Sequence, residues 1–246
     1  AASTLNGEIH IIEGVVTATT PNFKGYFVQQ SADSADETSS SDGIFVYHAG
    51  ISQYPQSNQS IRVIGKVGER YGRTQLAATE DFLDCGEVDA IAPATLNLPV
   101  SNYADWENVE GMLVTFPQAL TVTNTQDLAK YGQLALSDGQ LSIPTNMFMP
   151  NSLEAIALKQ TNSLNKILLD DQNNSSNPAS VPFPNGELSY LNPLRLGDTV
   201  SGLTGVVDYS FGAYRILATQ SPMFESANPR QSLTSAQSGQ LRVASM

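Results

Sequence analysis

Hydrophobic and polar positions alternate over short runs along most of this chain, and clusters of Gly, Pro, Asn and Ser separate the runs. That is the pattern of half-buried strands joined by turns. Residues 9–19 open as β-forming sequence, Pro21-Asn22 marks a turn, and residues 25–30 read as a second strand. Residues 31–42 are polar and predict a loop. Its acids Asp33, Asp36, Glu37 and Asp42 lack the spacing of an EF-hand and read as a solvated surface, not a calcium site. Residues 44–47 predict a third strand. Residues 61–67 and 73–78 predict a fourth and fifth around a turn at 68–72. The crossing at residues 80–99 carries Pro93 and Pro99, which argue against helix there.

The second half repeats the style. A short helix around Asp105 to Asn108 leads into a strand at 111–116, and Trp106 reads as a packing residue. Strands follow at 120–123 and 133–136, and residues 200–219 close the unit. Residues 144–193 read as an insertion before the fourth strand. Within it Leu153, Ile156, Ala157, Leu164 and Ile167 fall at helical spacing. With Asn151 as N-cap and Glu154 three residues on, the spacing predicts a helix over 152–166. Residues 170–184 are turn-rich, and their acid- and amide-rich start, residues 170–174, also reads as surface. From residue 221 the chain reads as a linker, and Leu241 to Met246 turns apolar again, like the first strand of a further domain.

Two segments repeat. At a constant offset of 140 residues, Gly65 matches Gly205, Tyr71 matches Phe211, Gly72 matches Gly212, Leu76 matches Ile216 and Thr79 matches Thr219. Upstream, Glu13-Gly14-Val15-Val16-Thr17 echoes Glu110-Gly111-Met112-Leu113-Val114-Thr115. Repeated motifs in the same order predict a duplicated unit. Five short strands, with a longer link between the third and fourth, fit an OB-fold barrel. The expected fold is therefore all-β with small helical insertions, as two tandem OB-fold-like barrels. The expected domains are residues 1–98 and 99–225, with 226–246 as linker and onward strand.

Composition changes this picture little, and charge more. The net charge of −12, from 24 acids and 12 bases, repels nucleic acid at long range unless bases gather locally. Lys66, Arg70 and Arg73 do gather, with Lys24 and Arg62 on the same unit. They are either solubilising charges or a phosphate-contacting patch. OB-folds take single strands across strands two and three and the adjoining loops, stacking bases on aromatic rings. That selects Tyr26 and Tyr47, as the outward tyrosines of those strands, and the Tyr71 turn between Arg70 and Arg73. No run reaches the ~20 apolar residues of a membrane span, and Ala1-Ala2-Ser3-Thr4 does not open a signal peptide. Cys85 is the only cysteine, so no disulfide forms within the chain. His10 and His48 stand without metal-spaced companions, and GxSxG, P-loop and GxGxxG motifs are absent. The chain alone is expected to be non-catalytic and to hold no cofactor.

The motifs Gly25-Tyr26-Phe27-Val28-Gln29-Gln30, Asp42-Gly43-Ile44-Phe45-Val46, Tyr71-Gly72-Arg73-Thr74-Gln75-Leu76, Leu98-Pro99-Val100, Tyr131-Gly132-Gln133-Leu134, Pro144-Thr145-Asn146, Ile167-Leu168-Leu169-Asp170-Asp171, Leu196-Gly197-Asp198-Thr199-Val200 and Asp208-Tyr209-Ser210-Phe211-Gly212-Ala213-Tyr214-Arg215 run through nearly the whole chain in order. Together with the two Glu-Gly segments they resemble the OB-fold region of ExeM-type secreted bacterial nucleases. Gln59-Ser60 departs from the Gly-Asp expected there. The resemblance implies an extracellular protein. In it this region precedes a DNase I-like endonuclease/exonuclease/phosphatase domain, which would hold the divalent metal (Mg, Mn or Ca) and the catalytic residues. Asn228-Pro229-Arg230 resembles the exit into that domain. The implied role is weak engagement of DNA, single-stranded for preference, or positioning of the nuclease domain in cis. The alternative is a structural spacer or an interaction module that docks a domain or binds a glycan.

Overall fold

The computed structural model describes residues 3–31 and 40–229. Asp33, Asp36 and Glu37 of the acidic loop, Arg230 and the apolar stretch 241–246 lie outside the described residues.

The fold is all-β, built as two barrel-like sheets. The first sheet holds β1 (Ile9–Thr20), β2 (Gly25–Gln29), β3 (Gly43–Tyr47), β4 (Gln59–Arg70), β5 (Arg73–Ala78) and β6 (Leu83–Glu87). Its order is β1-β2-β3-β5-β4, and β1 pairs with β4 to close the barrel. One long strand makes closure possible. The first half of β1, from Ile9, faces β4, and the second half, to Thr20, faces β2. A register shift between Val16 and Ala18 helps it turn the corner. The interior is filled by Val16, Tyr26, Val28, Val46, Ile61, Val63, Val67 and Leu76.

The second sheet holds β7 (Ala94–Thr95), β8 (Leu113–Thr115), β9 (Leu120–Asn124), β10 (Gln133–Ser137), β11 (Ile167–Asp170), β12 (Thr199–Val200), β13 (Thr204–Ser210), β14 (Ala213–Ala218) and β15 (Phe224–Glu225). The run β9-β10-β11-β14-β13-β8 repeats the first barrel's order, with a parallel β11–β14 pair where the first has parallel β3–β5. Its first strand is split into β8 and β9. Pro117 sits in the break, where it offers no N–H to a ladder. The second barrel is accordingly open there, and its core is completed by Trp106, on a short 3-10 helix at Tyr103–Val109 where the sequence predicted one, and by Val181, Phe183 and Leu194 from loops. Trp106 is 1% exposed and stacks on Tyr214.

The third strand of this barrel, β11, lies inside the stretch read as an insertion, so the extra chain falls in two pieces on either side of it. Among the described residues three α-helices accompany the sheet: α1 (Leu128–Tyr131), α2 (Pro144–Met147) and α3 (Leu153–Leu164). The cap of α3 is Ser152, whose hydroxyl accepts from the Ala155 N–H at 3.2 Å. Asn151 is one residue too early, at φ 63°. Leu153 and Ile156 of α3 face solvent.

The 140-residue repeat holds at the level of hydrogen-bond register. Gly65 faces Ala78 and Arg70 faces Arg73; Gly205 faces Ala218 and Ser210 faces Ala213. Both hairpins turn on two residues at positive φ, Tyr71-Gly72 and Phe211-Gly212, as a type I′ turn requires. A Cβ at Gly65 would meet the Ala77 carbonyl at 2.5 Å, and one at Gly205 would meet the Leu217 carbonyl at 2.5 Å. The Glu-Gly echo does not hold. Ile9 pairs with Lys66 and Leu113 with Val206, so the first strands correspond at an offset of 104. Glu13 and Glu110 are 97 apart. Gly14 lies mid-strand against Gln29, whereas Gly111 precedes its strand and touches the backbone of Gly43 in the other barrel.

Candidate functional site

The two barrels meet on a seam. Phe27 and Phe45 point out of the first barrel and pack with Ala18 against Val206 and Leu217 on the outer face of the second. Phe27 and Phe45 are each 1% exposed. The Arg73 guanidinium crosses the seam, donates to Asp208 Oδ1 at 2.7 Å and Gln75 Oε1 at 3.2 Å, and lies 3.9 Å from the Phe45 ring centre. Asp208 is fully buried and also accepts from the Ser210 hydroxyl at 2.6 Å. On the next strand Arg215 donates to Asp170 at 2.8 Å, both side chains being buried. Arginine and aspartate thus alternate from β11 through β14 and β13 to β5, and each buried charge has an opposite one in reach. Burial pushes the Asp170 carboxyl up, against the pull of Arg215.

Glu110 lies at the edge of this seam. Burial, with Glu107 and Asp208 adding to it, pushes its carboxyl up to about 7, against the Thr74 N–H and Arg73. Backbone contacts weld the same edge. The Ser41 hydroxyl donates to the Glu110 carbonyl at 2.5 Å, and the Leu113 N–H donates to Gln29 Oε1 at 2.8 Å.

The six residues selected from sequence are not brought together. Tyr26 is fully buried inside the first barrel, its hydroxyl 3.2 Å from His48 Nδ1. Tyr26 therefore faces inward, not outward as its hydroxyl suggests. Strand alternation puts Phe27 and Phe45 outward, and they tolerate that face because the second barrel covers it. Tyr47 does lie on the outer face, and there it packs against the seam cluster. Arg73 is locked in the seam, not displayed to solvent. Lys66 and Arg70 are exposed, and Tyr71 is 79% exposed with the Arg70 guanidinium 5.1 Å from its ring centre. Val206, Asp208, Arg215 and Leu217 were missed by sequence reasoning. The signal was present: Val206 and Leu217 are apolar on the face where the first copy of the hairpin carries Lys66 and Ala77.

Among the described residues three clefts lie along the seam. One of about 530 Å³ is lined by Phe27, Phe45, Arg73 and Glu110. A larger one, about 760 Å³, lies between Glu69 and Gly72 of the first barrel and Tyr103, Tyr209 and Tyr214 of the second. Buried Tyr214 contacts Tyr103 and Tyr209 at ring-centre distances of 5.6 and 4.8 Å. Burial, followed by the nearby carboxylates, raises its phenol well above the usual range. The third, about 350 Å³, lies by α1 and the Phe211 turn. Among the described residues no cluster of three His, Cys, Asp or Glu side chains is placed to hold a metal. No described helix is long and apolar enough to cross a membrane.

A family model described as a domain of unknown function, DUF8508, matches residues 87–228. The chain belongs to this family. The DUF8508 match runs from the last residue of β6 to just beyond β15, so it takes in the entire second sheet with its loops and leaves out nearly all of the first barrel. No curated protein matches the chain.

Proposed function

We propose that this chain is a non-catalytic, rigid two-barrel module that holds a neighbouring domain in position, in an extracellular protein of the nuclease type its motifs resemble. The observation that carries this reading is the seam. The outer face of β2 and β3, across which OB barrels take single strands, is occupied by the second barrel through Phe27, Phe45 and Arg73. A surface used to fix two barrels together is unavailable for a nucleic acid strand. The net charge of −12 works in the same direction. Chemistry, and the divalent metal that phosphodiester cleavage calls for, would belong to the positioned domain.

A second reading, in which the chain engages single-stranded DNA weakly, draws support from the exposed Lys66, Arg70 and Tyr71 on one hairpin. Fluorescence anisotropy of a labelled oligothymidylate separates the two. The positioning reading expects no change in anisotropy even at low salt. Binding that fades steeply with salt and is lost on reversing Lys66 and Arg70 to Glu would move DNA engagement to the front. Incubation of the chain with plasmid and Mg²⁺, Mn²⁺ or Ca²⁺ should leave the plasmid intact. Metal-dependent cleavage abolished by a point substitution within this chain would contradict a non-catalytic role.

A further inference from the structure

The two hairpin tips share one geometry and have different surroundings. A Cβ on Gly72 would lie 2.7 Å from Tyr209 Cε1, so the first tip rests against the second barrel. Gly212, its counterpart, has open space where a Cβ would be. Phe211 beside it is 82% exposed, at φ 51°. A phenylalanine here is doubly unfavourable for the fold alone. Left-handed backbone suits Asn or Gly far better than a bulky side chain, and the ring leaves most of its apolar area in water. Tyr71 shares this strain and exposure in the first copy, so what sets Phe211 apart is the cleft beside it.

The ring is nonetheless held. Arg215 lies beneath it, 5.5 Å from guanidinium to ring centre, itself fixed by Asp170 at 2.8 Å and the Ser210 carbonyl at 2.6 Å. Phe211, Phe23 and Tyr131 put three aromatic rings around the 350 Å³ cleft. Its polar lining is equally fixed. Gln133 Nε2 donates to Asp170 Oδ2 at 2.8 Å, and Asn174 Nδ2 donates to the Asn22 carbonyl of the first barrel at 3.0 Å. Asn173 and Asp127 complete the rim. A small apolar-walled cavity with a few anchored polar groups is how small-molecule sites are built, and this volume lies near the lower end of their range.

Charge selects the ligand. No lining residue is Lys, Arg or His, and two are Asp. A nucleic acid strand needs a basic groove beside its stacking rings, and this cleft offers none: Asp170 is already paired with Arg215 at 2.8 Å, which leaves Asp127 as its one unmatched lining charge among the described residues. What fits is a neutral ring with one apolar face and several hydroxyls. The apolar face would lie on Phe211 or Tyr131, and the hydroxyls would meet the carboxylate and amide groups of Asp127, Gln133 and Asn173. We propose that the cleft between α1, residues 173–176 and the Phe211-Gly212 turn binds a neutral sugar residue of a glycan. The cleft borders the seam, since Phe23 also packs against the Phe27–Phe45 cluster, but it takes no part of the covered β2–β3 face, and sugar binding is read separately from the positioning role.

Saturation-transfer NMR on the full chain tests it, with methyl glycosides of glucose, galactose, mannose and N-acetylglucosamine as sugar probes and oligothymidylate as the charged comparison. The expected result is transfer to the ring protons of at least one glycoside. Binding should weaken by about tenfold or more in Phe211→Asn, the loss of one aromatic contact. Asn keeps the positive-φ turn, so an unchanged melting temperature in that variant separates loss of the ring from loss of the fold. Tyr131→Ser should weaken the same glycoside. No transfer to any glycoside, transfer untouched by Phe211→Asn, or transfer to oligothymidylate alone that the substitution removes would each overturn the proposal.

Discussion

The hairpins β4–β5 and β13–β14 share a register and differ in what lies outside them. Their inward positions match in kind: Val67 and Val207, Leu76 and Ile216, each buried in its own barrel. Their outward positions diverge. Lys66 is exposed where Val206 is fully buried, and Gly68 stands where Asp208 takes the Arg73 guanidinium. The barrel interior sets one face of a strand and its neighbour sets the other, so only one face carries the memory of a duplication. The first copy keeps its back solvated at Lys66 of β4 and brings only Arg73 and Gln75 of β5 to the seam. The second turns its back into the seam that joins the barrels.

Exchanging those outward residues is the strongest way to break the comparison. Val206→Lys would place an unpaired charge against Phe27 and Phe45 and should destabilise by about 3–5 kcal/mol. Lys66→Val, the reverse exchange, should change stability by less than about 0.5 kcal/mol. Urea denaturation of both variants checks the asymmetry, and equal effects would mean the seam is not where the structure has it.

Inward equivalence is sharpened by Gly65→Ala and Gly205→Ala. Each new methyl meets a strand carbonyl at the same 2.5 Å. Both should cost about 1–3 kcal/mol, the range for overpacking, and by similar amounts in the same denaturation assay.

A smaller effect is tied to pH. Glu110 has its carboxyl raised to about 7 by burial beside Glu107 and Asp208, with Arg73 and the Thr74 N–H opposing. Its folded value exceeds its unfolded one, so the folded state binds the extra proton. Glu110 therefore makes the protein less stable as pH rises from the ordinary carboxylate range to about 7, and no further above it. Glu110→Gln should flatten that part of the stability–pH curve and leave the variant more stable than the parent at pH 8. A curve of unchanged shape would show that the carboxyl is solvated. The least effect is expected of Tyr71→Asn, which gives the exposed first turn the Asn-Gly sequence that type I′ geometry favours. The melting temperature should hold or rise slightly.

Much of the fold was legible because barrels repeat locally. The constant offset between Gly65–Thr79 and Gly205–Thr219 reports hairpin register directly, since both ends of each ladder lie within one short stretch. The Glu-Gly echo misled because two-residue similarity carries no register. The two halves of the split strand, β8 and β9, were legible, whereas β11 was obscured for a related reason, since its parallel partner β14 is supplied by a distant segment. The site was less legible still. Tyr26 was judged by the chemistry of its hydroxyl, yet a buried hydroxyl is accommodated once His48 pairs with it. Arg73 read as a free cation because its partner Asp208 is 135 residues away. Nothing local announces a seam between two barrels, and it is the seam that decides which aromatic and basic groups remain available.

The central claim is that the seam makes one rigid body of two barrels. Backbone ¹⁵N relaxation of the full chain tests it most directly, with amides of β2–β5 compared against those of β9–β14. A welded seam predicts a single overall correlation time shared by both sets, lost in Val206→Lys while each barrel keeps its own dispersed spectrum. Two shorter and different correlation times in the unaltered chain would show barrels tumbling independently, and would contradict the account.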